Sequence, residues 1–223
     1  MGKCIGRFLC ALAMCVGFAC TACASPGDLI RMWEGPAPYP SHYFGFAVAT
    51  DGNRLVVGSP FYNNPAMQMG IVYIMDANTT ALLHTLNNPT PGPVDHFGYS
   101  VATVQGFVAV GVHNDNAGSG SVCLFNLSDG TLARTIFPPP GKGGMFGESV
   151  TPLGNNLIIG SPTASTSGTG TVYIYDPATG SQLLSIPNPE PGTSSDLFGK
   201  SVAVVGGSIL VGAQFDDVTF ADE

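Results

Sequence analysis

The sequence predicts an all-β protein, a β-propeller of four-stranded antiparallel blades, and two observations support this prediction. First, a Phe-Gly pair occurs four times, beginning at Phe44, Phe97, Phe146 and Phe198. Second, another glycine follows thirteen residues after the first in every copy, at Gly58, Gly111, Gly160 and Gly212. A constant spacing of this kind, recurring about every 50 residues, is typical of a repeated structural unit.

Each full repeat contains four short apolar segments that we interpret as strands. The first follows the Phe-Gly pair, the second runs into the second glycine, and the third opens on Gly70, Gly120 or Gly170. The fourth, as in 82–86 and 132–136, ends before prolines, which cannot donate to a sheet ladder. Short runs rich in Val, Ile and Tyr between turn residues are typical of antiparallel hairpins, and four such strands make one blade.

Tight turns are predicted between the first and second strands, at 51–53, 154–156 and 206–208. These segments consist of Gly, Asn, Asp and Ser, residues that favour turns and in part tolerate positive φ. No segment after residue 24 shows a convincing helical period.

The repeats divide the chain into a leading strand within 25–43, full repeats at 44–96, 97–145 and 146–197, and an incomplete repeat at 198–223. We therefore expect a partial ring with three full blades and strands of a fourth. The alternative is a closed four-bladed ring in which the apolar run at 29–33 completes the last blade, and the sequence leaves both open.

Residues 1–24 have the composition of a secretory signal peptide. Lys3 and Arg7 precede an apolar run, and 22–24 offers small residues for cleavage. We expect a secreted, extracellular or periplasmic protein, with a lipid anchor at Cys20 or Cys23 as the alternative. The apolar run is shorter than the roughly 20 residues that cross a bilayer, so no span is expected in the mature chain.

The charge balance limits the partners that we expect, and the cysteine count limits the possible disulfides. Without the leader, five basic residues face fifteen acidic ones, a balance that disfavours nucleic acid as a partner. Five of the six cysteines lie in the leader, so Cys123 has no internal disulfide partner. Because Cys123 stands where Tyr73 and Tyr173 stand in other repeats, we predict a packed strand residue.

The motifs Phe-Gly-Xaa-Ser-Val-Ala at 97–102 and Leu-Val-Val-Gly-Ser-Pro at 55–60 resemble the FG-GAP repeat of integrin α-chain propellers. The resemblance covers 29–217, although 111–113 and 212–214 lack the proline. It implies a non-enzymatic propeller whose loops recognise proteins or glycans. In some FG-GAP members the loop between strands one and two binds calcium. Here 51–54 offers one carboxylate, whereas calcium takes about six to eight oxygens, so no cofactor is expected.

Candidate binding residues lie in the loops between second and third strands, because these loops vary in length on a constant framework. Ordinary turn formation by Asn and Asp is the alternative interpretation. The histidines His42, His84, His96 and His113 show no metal-ligand spacing and are predicted to be surface or strand-end residues. The candidate ligand-binding residues are Phe61, Tyr62, Asn63, Asn64, His113, Asn114, Asp115, Asn116, Asp216 and Asp217.

These observations predict an exported, non-catalytic recognition or scaffold module with a protein or glycan partner. A lectin is the alternative, and a hydrolase in a central channel is a third hypothesis. Ser100 recurs as Ser149 and Ser201 without the strand-turn-helix context of a nucleophile, so we predict a structural serine. Asn78 and Asn126 begin glycosylation sequons that would be used only in a eukaryotic source.

Overall fold

Strands dominate the computed structural model, which describes residues 35–36, 43–62, 69–164, 168–190 and 196–216. The signal peptide, the apolar run at 29–33, His42, Asn63, Asn64 and Asp217 lie outside the described residues. Within the described part of the chain, no helix has the length and apolar character needed to cross a bilayer.

The described strands form three four-stranded antiparallel sheets and one two-stranded sheet, each in simple sequence order. The first blade contains β1 (Ala47–Thr50), β2 (Arg54–Ser59), β3 (Ile71–Asp76) and β4 (Leu82–Asn87). The second contains β5 (Ser100–Val104), β6 (Phe107–Val112), β7 (Ser121–Asn126) and β8 (Leu132–Ile136). The third contains β9 (Ser149–Leu153), β10 (Asn156–Ser161), β11 (Thr171–Asp176) and β12 (Ser181–Pro187). The two-stranded sheet pairs β13 (Phe198–Val205) with β14 (Ser208–Ala213).

This arrangement confirms the predicted all-β class, with three full blades and two strands of a fourth. The predicted turns are also present, and in the first of them Asp51 Oδ1 accepts hydrogen bonds from the N–H groups of Asn53 and Arg54 at 2.9 and 2.7 Å. One short helical turn, α1 (Asp115–Gly118), interrupts the loop after β6. Asn116 and Ala117 have φ values of 51° and 58° there, so α1 is not a regular helix and left no helical period in the sequence.

Hydrogen bonds explain the thirteen-residue spacing between glycines. The N–H of the Phe-Gly glycine donates to the carbonyl oxygen of the second glycine in the same blade. The distances are 3.2 Å for Gly45 to Gly58, 3.1 Å for Gly98 to Gly111 and 3.0 Å for Gly147 to Gly160. The spacing is constant because it closes the same backbone ring in each of these blades.

The second glycine also allows the backbone of the next blade to approach closely. A Cβ atom on Gly111 would overlap the carbonyl oxygen of Gly147, which belongs to the following repeat. Gly58 and Gly160 make the same close approach to Gly98 and Gly199. Since even alanine would collide with backbone here, these three glycines are required by the contact between blades.

Side-chain and backbone bridges add to this contact. The hydroxyl of Ser100 donates to the Gly147 carbonyl oxygen at 2.7 Å, and Ser149 donates likewise to Gly199 at 2.8 Å. The repeated serine is therefore structural in these two copies, as predicted. Isolated parallel bridges also join Gly70 to Phe97, Gly120 to Phe146 and Gly170 to Phe198.

Apolar side chains fill the space between neighbouring blades. Between the first two blades, Val56 and Ile74 pack in one core with Phe97 and Phe125. Similar cores lie between the second and third blades and between the third blade and the β13–β14 sheet. Cys123 is 1% exposed in the first of these cores, which confirms the predicted packed strand residue. Burial raises the pKa of its thiol to about 11.

Candidate functional site

The position directly after the Phe-Gly pair carries a different side chain in every repeat, namely Phe46, Tyr99, Glu148 and Lys200. The first strands of successive blades lie against one another, in the order β1, β5, β9 and β13. These four side chains therefore form a row across the blades. Together with Tyr43, Phe61, His96 and His113 they make up what we name the first-strand cluster.

A tight turn directs this row of side chains in all four repeats. The residue before each Phe-Gly pair has φ between 51° and 58°, and its carbonyl oxygen accepts a hydrogen bond from the residue that follows the pair. In the second repeat this bond joins Tyr99 N–H to His96 O at 3.1 Å. Non-glycine residues rarely adopt positive φ, and such strain is kept only where the surrounding structure enforces it. The residues in this conformation are Tyr43, His96, Met145 and Leu197.

One end of the first-strand cluster is aromatic. The Phe61 ring lies 4.9 Å from the ring of His96 and 5.6 Å from that of Phe46, measured between centroids. The Phe46 ring in turn lies 4.9 Å from Tyr99, and Tyr43 packs against Phe61 at 4.9 Å. Tyr43 and Phe46 are 63% and 44% exposed, so this end offers aromatic surface to a partner.

The centre of the cluster is a buried histidine. His113 is 9% exposed and its ring lies 3.9 Å from that of Tyr99. Its Nε2 is 3.5 Å from Nδ1 of His96, and its Nδ1 is 3.8 Å from Oε2 of Glu148. Among the described residues, His113 Nδ1 has no hydrogen-bond partner. His113 directly follows the end of β6, in agreement with the strand-end prediction, but it is buried instead of lying at the surface because Glu148 of the next blade packs beside it.

The other end of the cluster is charged. Glu148 is 5% exposed and forms an ion pair with Lys200 of the next repeat. Burial acts to lower the pKa of the Lys200 ammonium, but the hydrogen bond and charge of Glu148 outweigh it and raise that pKa. Burial, followed by the charge of Glu148, raises the pKa of the Tyr99 phenol.

Both imidazoles in the cluster are biased towards the neutral form. Burial, with smaller effects from His96 and Lys200, lowers the pKa of His113 to about 4. Burial also lowers the pKa of His96, against the attraction of Asp95. At neutral pH the cluster therefore combines aromatic rings, a neutral His113 and an ion pair. This set suits stacking, hydrogen bonding and ionic contact with a ligand.

Metal binding receives no support from the described donor groups. Within the described ranges, no group of three or more His, Cys, Asp or Glu side chains is placed to hold a metal ion. In the turn that calcium would occupy by family resemblance, the Asp51 carboxylate accepts hydrogen bonds from its own turn and lies 3.8 Å from the Arg54 guanidinium.

Two of the predicted loop residues, Phe61 and His113, belong to the first-strand cluster. Two others hold the loop itself, since Asn114 donates to the carbonyl oxygen of Val94 at 2.8 Å and Asp115 accepts from the Ser121 hydroxyl at 2.6 Å. Asp115 is 6% exposed and is unsuited to contact a partner directly.

The remaining predicted residues lie apart from the cluster. Asn116 is exposed in α1 and lines an open cavity of about 530 Å³ with Phe137 and Pro139. Tyr62 lines a smaller cavity of about 200 Å³ with Met69 and Asn88. Asp216 is exposed after β14.

The site residues that sequence reasoning missed are Tyr43, Phe46, His96, Tyr99, Glu148 and Lys200. A signal for four of them was present, because the position after the Phe-Gly pair varies in polarity and size while the Phe, the glycine and the following Val do not. His96 had no comparable signal, since its role depends on the turn that places it beside His113.

A buried pair in two of the blade connections was also missed. Asn88 Nδ2 donates to Asp95 Oδ2 at 2.8 Å, and Asn188 Nδ2 donates to Asp196 Oδ2 at 2.7 Å. Both connections begin with Asn-Pro and carry Asp two residues before the Phe-Gly pair, which was the available signal. The pair fixes the path of the chain into the turn that supports the cluster.

A comparison with protein-family models finds no match, and a search of curated proteins finds no relative. The blade-like arrangement of antiparallel sheets is thus a finding of the structure itself. The FG-GAP resemblance rests on the repeated motifs.

Proposed function

We propose that this protein is an exported, non-catalytic recognition module of FG-GAP type that binds its partner through the first-strand cluster. The main support is the pattern of constant and variable positions. The Phe-Gly pairs and the backbone contacts around them repeat, whereas the four side chains that follow the pairs differ and lie in one row. Variable side chains on a constant scaffold are typical of binding surfaces.

The cluster suggests the character of the partner. Exposed Tyr43 and Phe46 suit an apolar ring or side chain, while the Glu148–Lys200 pair suits a polar or charged group next to it. A protein surface or a cell-surface glycan offers both. The formal net charge of −8 disfavours nucleic acid.

The exposed rings also favour the second candidate, a lectin. The apolar face of a sugar ring can pack on an aromatic ring, and Tyr43 and Phe46 supply two rings near the polar groups of the cluster. Glycan binding would then be the main activity of the same surface.

Binding of the labelled full chain to a glycan array and to an array of cell-surface proteins tests both candidates. We expect Phe46→Ala to weaken binding at least about tenfold, equivalent to about 1.4 kcal/mol. Phe137→Ala is the matched control, because Phe137 is also exposed, at 52%, and is outside the cluster.

Equal binding by the two variants would contradict the proposed surface. Selective binding to glycans would favour the lectin over a protein-recognition module. Turnover of a glycoside or ester that follows the purified protein, and that is lost in His113→Gln, would replace the proposal with a hydrolase.

A further inference from the structure

One type of interface occurs three times between successive blades of the described chain. In each case the following blade presents the carbonyl oxygen of its Phe-Gly glycine, which approaches Gly58, Gly111 or Gly160 of the preceding blade. In two of the three, a serine hydroxyl of the preceding blade donates to that oxygen. The interface therefore has a receiving half and an inserting half.

The receiving half is exposed on the β13–β14 sheet. We name Ser201, Ala203, Leu210 and Gly212 the receiving patch. Leu210 is 52% exposed, whereas the equivalent residues of the other blades, Val56, Ala109 and Ile158, are each 0% exposed. Ala203 is exposed as well, while its equivalent Ala102 is 3% exposed.

The surroundings of Gly212 also differ from those of the equivalent glycines in the other blades. The three atoms nearest to a Cβ built on Gly212 all belong to Ser201 of the same sheet, whereas Gly111 is approached by the carbonyl oxygen of the next blade. Ser201 is exposed, in contrast to the half-buried Ser100 and Ser149 that donate across the blades.

The inserting half is exposed on the first blade. We name Gly45 and Val48 the inserting patch. Gly45 is exposed, whereas its equivalents Gly98, Gly147 and Gly199 are buried. Val48 is 63% exposed, whereas Val101 at the same position of the second blade is 8% exposed.

We propose that a second copy of this chain docks head to tail, with its inserting patch on the receiving patch. The Gly45 carbonyl oxygen of one copy accepts a hydrogen bond from Ser201 of the other and lies over Gly212. Val48 packs against the apolar surface around Leu210. The receiving patch requires a strand that begins with Phe-Gly, and this chain exposes one such strand at its first blade.

Because the two patches differ, the contact is heterologous. Each copy in a pair would keep one patch free, so association continues to a closed ring or an open filament. Association also removes the exposed apolar edge of β13–β14 from water. Burial of apolar surface stabilises the three interfaces within the chain in the same way.

Sedimentation velocity of the full chain over a range of concentrations tests the proposal with two variants. Val48→Lys blocks the inserting patch and Leu210→Lys blocks the receiving patch. We expect the unaltered chain to associate and each variant alone to sediment as a monomer. An equimolar mixture should form a pair that grows no further, because each variant supplies the patch that the other lacks.

Leu183→Lys is the matched control, because Leu183 is 54% exposed on the outer strand β12. It should associate like the unaltered chain. Circular dichroism of each variant shows whether it is folded, and Gly212→Val is a second block of the receiving patch if Leu210→Lys fails to fold. Its added side chain would meet the Ser201 side chain and fill the place of the incoming carbonyl.

Three results would overturn the proposal. One is a monomeric unaltered chain at every concentration. Another is a mixture of the two folded variants that stays monomeric, since an intact inserting patch and an intact receiving patch would then be present together without binding. The third is dissociation by Leu183→Lys as well, which would indicate unspecific apolar association.

Discussion

His113 shows how one residue's surroundings change its chemistry. Tyr99, His96 and Glu148 lie beside its ring, and burial is the main reason that its pKa is about 4 instead of 6.5. In the folded protein the imidazole is neutral at pH 5, whereas in the unfolded chain it is mostly protonated at that pH. Its titration therefore affects stability.

The unfolding free energy should fall as the pH drops from about 6.5 to about 4. The unfolded state binds a proton in this window that folded His113 does not bind, so acid favours unfolding. The full effect of the shift is about 3 kcal/mol. Urea unfolding at several pH values should show a shallower pH dependence for His113→Gln than for the unaltered chain.

His84→Gln serves as the control, because His84 lies outside the cluster with Nε2 at 3.2 Å from the carbonyl oxygen of Ser128. A slope that is the same for His113→Gln and the unaltered chain would contradict the assignment. His96 titrates in the same direction, since burial lowers its pKa as well, and some slope should remain.

At the scale of strands, the glycine one residue before the end of the second strand determines how closely blades approach. In the middle of the chain, β6 ends near Gly111, which receives the backbone of the third blade. In the β13–β14 sheet, Gly212 occupies the same strand position without such a neighbour among its three nearest atoms. Comparing substitutions at Gly111 and Gly212 therefore separates the cost of replacing a glycine in this strand from the cost of disturbing the contact between blades.

Gly111→Ala should destabilise the protein by about 3 kcal/mol or more, because its Cβ would collide with backbone that cannot move without separating two blades. Gly212→Ala should cost less than about 1 kcal/mol, since the nearest atom is the hydroxyl of Ser201, which can rotate away. Chemical denaturation of both variants provides the comparison. Similar losses in the two would refute the proposed role of Gly111 in blade contact.

At the scale of the whole described molecule, burial decreases towards the β13–β14 sheet. The third blade has Leu157, Ile158 and Ile159 at 0% exposure in β10, whereas β14 exposes Leu210 at 52%. Local opening costs less free energy where fewer apolar side chains are buried. Stability should therefore differ between blades.

Hydrogen exchange should report this difference directly. We expect the amides of β13 and β14 to exchange at least about tenfold faster than those of β10 and β11 in dilute solution. At high protein concentration the proposed head-to-tail contact should slow exchange in β13 and β14 and leave β10 unchanged. Equal exchange in β10 and β14 at low concentration would contradict the uneven stability.

The repeated Phe-Gly units by themselves determined the strands, the turns and the order of the blades. These features depend on contacts that are close in sequence, such as the Gly98–Gly111 hydrogen bond, and on turn residues such as those at 51–53. The burial of Cys123 also followed from its position in the repeat. Backbone preferences of turn residues and the alternation of side chains along strands are local properties, so a repeated structural unit leaves a repeated sequence pattern.

Only the tertiary structure decided which side chains form the candidate site. His113 and Glu148 belong to different blades, and Lys200 belongs to a third, so their proximity depends on the angle at which neighbouring sheets pack. Asp115, which the sequence had suggested as a loop residue for ligand contact, is buried, and its carboxylate accepts a hydrogen bond from the Ser121 hydroxyl. The periodic pattern of a chain specifies each sheet. Contacts between sheets depend instead on how the side chains of neighbouring blades pack against each other.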